Sequence, residues 1–333
     1  MYSQHQPCPC SKITSVDGLP ALCRLGNEKH GKQGNIGNTV TRVTSRGLFD
    51  KASGSALRIA VLNLMPLKEP TELHLLQALA SAGTEIDVSW LRMATHCSRN
   101  TSATHIGQFY MTFDQLLAHQ GEPDGVIITG APIERLPFES VDYWPELTAL
   151  IDRLRQSGTP VMMLCWAAFA GLYHRYGVDK HVISRKISGV YPHRLLMPGH
   201  PLTRGMEAEF SVPHSRFTEV WRSEVEVHPD IDILAESPES GLYLMTSGAD
   251  GGRELYVTGH SEYDALTLDG EYRRDLSRGL APELPRHYYP DNNPDLTPAA
   301  GWISHREALY TNWVNLCIER KRRQHTPLNR RHP

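Results

Sequence analysis

Short apolar runs that break sharply and give way to helix patterns constrain this chain more than any other feature. Residues 57–64 (LRIAVLNL) read as a strand that stops at Met65-Pro66, and residues 70–81 follow as a helix with Leu73, Leu75, Leu76 and Leu79 on one face. Residues 86–91 read as a second strand, 113–119 as a short helix, and 125–130 (GVIITG) as an apolar strand ending in a glycine loop. An amphipathic helix over 145–155 leads into the run 160–164 (PVMML), and the Ala- and Leu-rich stretch 166–172 reads as helix again. Further on, 254–260 reads as a strand, 263–278 as a long helix, 281–304 as a Pro- and Asn-rich connection, and a last helix starts near His305. Such alternation predicts an α/β fold: a doubly wound, mostly parallel sheet with helices on both faces. Ligands in such sheets bind beyond the carboxyl ends of the strands. The residues after three of those ends, Asn63 with Pro66, Gly130-Ala131-Pro132, and Cys165, are therefore expected to meet in one crevice.

Residues 1–56 are rich in Gly, Ser, Thr, Asn, Lys and Gln, show little periodicity, and read as a poorly ordered extension. The expected organisation is that extension, one α/β domain over 57–328, and a tail at 329–333. A net charge of −3 speaks against a nucleic-acid partner or a basic membrane-binding surface. The basic cluster at 320–323 reads as a solvated tail. No apolar run approaches the roughly 18–20 residues of a membrane span. The six cysteines are scattered, and no second pair with zinc-type spacing follows Cys8-Pro9-Cys10, so neither a disulfide framework nor a metal site is expected. With no signal-peptide pattern at the start, the chain reads as cytoplasmic.

Cys165 falls at the break between the 160–164 strand and the following helix. A cysteine on such a turn holds its sulfur near a helix N-terminus, whose field favours the nucleophilic thiolate. A cysteine nucleophile needs a base and a group that orients the base. His260 ends a predicted strand, and Glu262 stands two residues on, a spacing that puts both side chains on one side of extended chain. The amide of Trp166, with one from the Gly130-Ala131 turn, would supply an oxyanion hole.

The ordered series Asn63-Leu64-Met65-Pro66, Ser98-Arg99-Asn100-Thr101, Thr129-Gly130-Ala131-Pro132, Val141-Asp142-Tyr143-Trp144, Cys165-Trp166-Ala167, Ser188-Gly189-Val190-Tyr191, Pro213-His214-Ser215-Arg216, Thr258-Gly259-His260 and Glu262-Tyr263-Asp264 resembles the homoserine O-acyltransferases of methionine biosynthesis, which have the class I glutamine-amidotransferase-like fold. The resemblance spans most of the chain after residue 56. It implies an enzyme in which Cys165 takes an acyl group from an acyl-coenzyme A, His260 deprotonates the homoserine hydroxyl, and Glu262 orients His260. It also implies that Lys186, Ser215 and Arg274 bind substrate, that acyl-CoA is a co-substrate rather than a bound cofactor, and that the enzyme is a homodimer. In that family the residue following Gly-Ala-Pro-x tracks the acyl donor, glycine with succinyl and glutamate with acetyl. Glu134 stands there, so the resemblance implies homoserine O-acetyltransferase activity. Phe169 departs from the family, where smaller or polar residues are common.

Alternatives remain open at this point. Serine in place of homoserine, or succinyl-CoA in place of acetyl-CoA, would need the same machinery. A glutaminase shares the fold and a Cys-His-Glu set, but usually has glycine-type residues two positions either side of the cysteine, where this chain has Met163 and Ala167. A redox-sensing cysteine protein would need Cys165 without the rest of the set.

Overall fold

The computed structural model describes residues 43–45, 56–97 and 100–325. An eleven-stranded mixed sheet forms the centre. Its first half comprises β1 (Val43–Ser45), β2 (Leu57–Leu62), β3 (Ile86–Leu91), β4 (Tyr110–Met111), β5 (Gly125–Ile128) and β6 (Val161–Leu164). Its second half comprises β7 (His181–Leu195), β8 (Glu209–Glu219), β9 (Ile231–Ser237), β10 (Gly241–Ser247) and β11 (Glu254–Val257). The order across the sheet is β1-β3-β2-β5-β6-β11-β10-β9-β7-β8, with β4 beside β3. From β1 to β11 every pairing is parallel, whereas β11-β10-β9-β7-β8 is antiparallel.

The parallel half follows from side-chain alternation with both faces covered. Ala60, Leu62, Val126, Ile128, Val161 and Met163 pack on one face against α4 (Trp144–Ser157) and α5 (Trp166–Tyr176). Their neighbours Ile59, Val61, Ile127, Met162 and Leu164 pack on the other against α1 (Lys68–Ala80) and α8 (Ile303–His325). The helices stop where the chain chemistry says they should. Gly158 and Gly177 take left-handed caps after α4 and α5, and Thr112 with Gln115 forms a capping box at the start of α3 (Phe113–Gln120). Among the described residues, no helix is long and apolar enough to cross a membrane.

Several expectations need adjusting. Val43–Ser45 lies within the stretch read as an extension and pairs with β3 as a strand; the rest of residues 1–55, and the domain end and tail after 325, lie outside the described residues. The short helices α2 (Ala103–Phe109) and α6 (Arg222–Val225) and the strands β7 to β10 were not expected. The helix expected from residue 263 is α7 (Thr267–Ser277). Its start is delayed because the Asp264 carboxylate accepts from the Leu266 amide and the Thr267 hydroxyl, forming a local turn.

Candidate active site

Cys165 joins β6 to α5 with φ 50° and ψ −115°. A positive φ at a residue with a Cβ costs on the order of 1–3 kcal/mol and persists only where surroundings enforce it. Here the Cys165 amide donates to Val257 O at 2.7 Å, extending the β6–β11 ladder. Its carbonyl accepts from Ala168 and Phe169 at 3.0 and 3.3 Å, starting the helix. The chain therefore turns sharply within one residue. The Trp166 amide lies in the first turn of α5, where helix amides have no acceptor inside the helix. The Gly130 backbone packs against this turn: a Cβ there would lie 3.1 Å from Cys165 Cβ and 3.6 Å from Trp166 N.

Because β11 runs parallel beside β6, the residues just past its end reach the Cys165 turn. His260 Nδ1 lies 2.7 Å from Glu262 Oε1, and Cys165 is close enough to act on the imidazole electrostatically. All three side chains are buried. Burial disfavours a charged imidazole, but the Glu262 carboxylate and the Cys165 sulfur outweigh it and hold the His260 pKa well above the ordinary imidazole value. The ring also stacks on Tyr263, with centroids 4.3 Å apart and planes 15° apart.

The long β7–β8 hairpin folds back over these strand ends. The His260 amide donates to Pro213 O at 2.8 Å. From Pro213 onward β8 alternates. Ser215 points to Glu271 on α7 and donates to its Oε2, whereas His214 and Arg216 turn to the buried side. Glu271 also receives Lys186 Nζ at 3.2 Å and the Tyr263 hydroxyl at 3.1 Å. Lys186, Ser215 and His260 are thus joined through Glu271 and Tyr263. Glu134 reaches the same corner, accepting from the Phe217 amide at 3.4 Å. Burial pushes its carboxyl pKa up against the pull of that amide, Lys186 and His260.

Arg274 is not brought into this network. Its guanidinium bonds the neighbouring Asp275 at 2.9 Å, and the side chain is 46% exposed. The first strand end is tied in through the backbone: the Leu64 amide donates to Thr129 Oγ1 at 2.8 Å, and that hydroxyl donates to Gly130 O at 3.1 Å. Asn63 serves as a lock for this loop, accepting from the Met65 amide and donating to the Tyr110 hydroxyl. Lys68 donates to Asn63 O at 2.6 Å, and burial lowers its pKa to about 8 despite nearby Glu72.

Sequence reasoning passed over Glu271 and the buried set behind Cys165. Arg216 is 1% exposed, and its guanidinium donates to Thr218 O and Ser240 O and lies 3.4 Å from His214 Nδ1. It sits 6.0 Å over the Phe169 ring, one turn along α5 from Cys165. His214 in turn meets His193 at 3.1 Å, and burial drives both imidazole pKa values down, that of His193 to about 3. The signals were present: a period of two pairs His214 with Arg216, and Glu271 stands three residues before Arg274 on one helix.

Comparison with known proteins gives one family. A family model described as homoserine O-succinyltransferase matches residues 41–324. A homoserine O-acetyltransferase of Lachnospira eligens is 47% identical over 79% of this chain and 83% of its own length. One from Bacteroides fragilis is 45% identical over 82% of this chain and 87% of its own. Among solved structures, a glutamine amidotransferase of Thermotoga maritima aligns with a TM-score of 0.53 at 11% identity, covering 80% of this chain and all of that one. The last likeness concerns the fold alone.

Proposed function

The chain belongs to the homoserine O-succinyltransferase family, and within it we propose a homoserine O-acetyltransferase working through an acetyl-Cys165 intermediate. The buried His260, bonded to Glu262 and acted on by the Cys165 sulfur at a strained turn, supports this reading. Cys165 Sγ attacks the thioester carbon of acetyl-CoA. The oxyanion that forms is held by the Trp166 amide and one from the Gly130-Ala131 turn, and the coenzyme leaves as its thiol with a proton from His260. While the sulfur is anionic, it and Glu262 favour imidazolium. Acylation cancels the sulfur's charge and so removes one of the causes that raise the His260 pKa. The neutral ring then takes the proton of the homoserine hydroxyl, whose oxygen attacks the acyl carbon. O-acetylhomoserine leaves, and the Cys165 thiolate returns.

Lys186, Ser215 and Arg274 are assigned to the amino-acid substrate, Arg274 after its guanidinium leaves Asp275 for the carboxylate. The family's printed name gives succinyl as donor, whereas the relatives named above carry acetyl. Glu134 decides for acetyl. A succinyl carboxylate would meet Glu134 in a corner that already holds Glu271; at ~4 Å and an effective dielectric of ~20, the repulsion is about 4 kcal/mol. The same reading makes the protein a cytoplasmic, homodimeric enzyme of methionine biosynthesis.

Steady-state kinetics crossing acetyl- and succinyl-CoA with homoserine and serine test this. Ping-pong turnover of acetyl-CoA with homoserine is expected, a Cys165→Ala variant should be inactive, and Glu134→Gly should admit succinyl-CoA. Glutamine hydrolysis without acetyl transfer would overturn the reading. An unchanged donor ratio in Glu134→Gly would remove Glu134 from the specificity argument.

A further inference from the structure

Behind the Cys165 turn, three buried side chains form a line whose hydrogen bonds can run in only one direction. Arg216 Nε lies 3.4 Å from His214 Nδ1, His214 Nε2 lies 3.1 Å from His193 Nε2, and His193 Nδ1 lies 2.9 Å from Tyr191 O. A guanidinium only donates and a carbonyl only accepts. His214 Nδ1 therefore accepts, and its ring proton sits on Nε2, which donates to His193 Nε2. His193 in turn carries its proton on Nδ1 and donates to Tyr191 O. The Ser240 hydroxyl, 3.2 Å away, shares the His193 Nε2 acceptor. A second proton on either ring would set one N–H against another. Burial, and then the Arg216 charge, hold both imidazoles below their ordinary pKa.

The head of this line is fixed, and its middle lies against the proposed base. The other Arg216 nitrogens donate to Thr218 O and Ser240 O. Among the described residues, no carboxylate bonds the guanidinium or either ring. The His214 ring lies where it would come within 2.9 Å of a Cβ at Gly259, and Pro213 O accepts from the His260 amide. His214 thus packs on Gly259, His260 is the next residue, and the His260 charge acts on His214. The remaining titratable or charged groups that face His214 are Arg216 on its own strand, Tyr191 and His193 on β7, and Tyr243 on β10.

We infer that Arg216 is a positioning residue that keeps His214 proton-free, so that the imidazole proton of the reaction is held by His260 alone. Arg216 acts through His214 rather than on the reacting atoms. A proton caught on His214 would oppose the imidazolium that forms at His260 across Gly259. The inference rests on the proposed use of His260 as base, and its test separates the two. Arg216→Met removes the donor and the charge, whereas Arg216→Lys keeps both at one nitrogen. Nitrogen NMR of the full chain labelled with 15N-histidine, assigned with His214→Asn and His193→Gln variants, reads where each ring proton sits. Between about pH 6 and 8, where an ordinary imidazole titrates, the unaltered protein and Arg216→Lys should keep His214 neutral with its proton on Nε2, and His193 with its proton on Nδ1. In Arg216→Met the His214 Nδ1 should take up a proton as pH falls. The acid limb of kcat should then follow two ionisations instead of one, and kcat at neutral pH should fall about tenfold, part of the ~10²–10⁴ that base catalysis supplies. KM for homoserine and for acetyl-CoA should change by less than about twofold. A His214 proton on Nδ1, or a charged His214 ring, in the unaltered protein would overturn the inference even if Arg216→Met does not fold. So would an Arg216→Met variant that loses activity equally at every pH with its His214 proton unmoved. Acetyl transfer with a single-ionisation acid limb in Arg216→Met would refute only the role given to Arg216. The expected proton positions in a protein that transfers no acetyl group would uphold the direction of the line and refute the proposed reaction.

Discussion

At the residue scale the proposed chemistry depends on one buried imidazole, bonded to a carboxylate and acted on by a sulfur. Folding raises the His260 pKa, so the native state binds this proton more tightly than the unfolded chain does. The associated stability is fully present below the unfolded value of about 6.5 and is lost as pH rises through the folded value. Glu262→Gln keeps the shape and removes the charge. Burial then opposes the imidazolium with only Cys165 to support it, so the His260 pKa falls and the alkaline loss of stability becomes shallower. Losing both the orienting anion and the countercharge should lower kcat by ~10²–10⁴. Thermal melts across neutral to alkaline pH, run beside kcat measurements, check both effects. A variant with wild-type kcat and an unaltered melt profile would mean that Glu262 is merely a buried structural acid.

At the element scale the site is built where the β7–β8 hairpin crosses the end of β11. Gly259 makes that crossing possible: a Cβ there would sit 2.9 Å from the His214 ring and from Val212 Cγ1. Neither neighbour has room to move, since His214 is confined by His193 and Arg216 and both His214 and Val212 are fully buried. Gly259→Ala should therefore cost about 1–3 kcal/mol, as overpacking does, and should cut kcat more than homoserine KM because His260 is the next residue. Chemical denaturation alongside kinetics measures this, and a neutral variant would show that the hairpin is loosely seated. This crossing was also the part of the molecule least legible in the sequence. The strands β2, β5 and β6 are largely buried on both faces and stand out as mostly apolar runs, β3 reads as a strand through its alternation, and Cys165 was readable as the break after β6. β7 carries Ser184 and Arg185 in solvent and shifts its register, and β9–β10 contains register shifts, so no clean period of two survives. For the same reason Glu271 and Arg216 stayed hidden. Charged residues are ordinarily exposed, and only the folded hairpin turns Arg216 inward.

At the scale of the whole molecule, the Cys165 turn rests on a sheet with a core on each face, and the two free cysteines among the described residues report on different parts of it. Cys165 stands at the strand ends. Cys317 lies on α8 beneath β5, where Gly125 is small enough to admit it: a Cβ at Gly125 would come within 2.5 Å of Cys317 Sγ and 3.1 Å of the Trp313 ring. Burial pushes the Cys317 thiol well above the ordinary thiol range, so it carries little of the reactive thiolate. Alkylation of the native protein, followed by peptide mass analysis, should therefore leave Cys317 unmodified while Cys165 is labelled. Trp313 is fully buried beside it in the core cluster that α8 shares with β2, β3 and β5. Replacing Trp313 with Ala should cost ~3–5 kcal/mol, the usual range for a buried Trp→Ala change. Because the cavity opens beneath the sheet rather than at its carboxyl edge, labelling at Cys317 should rise steeply before acetyl transfer declines at moderate temperature. Prompt labelling of Cys317 in the unaltered chain would mean that α8 does not seal this face, and the support for the strand ends would have to come from the α4–α5 side alone.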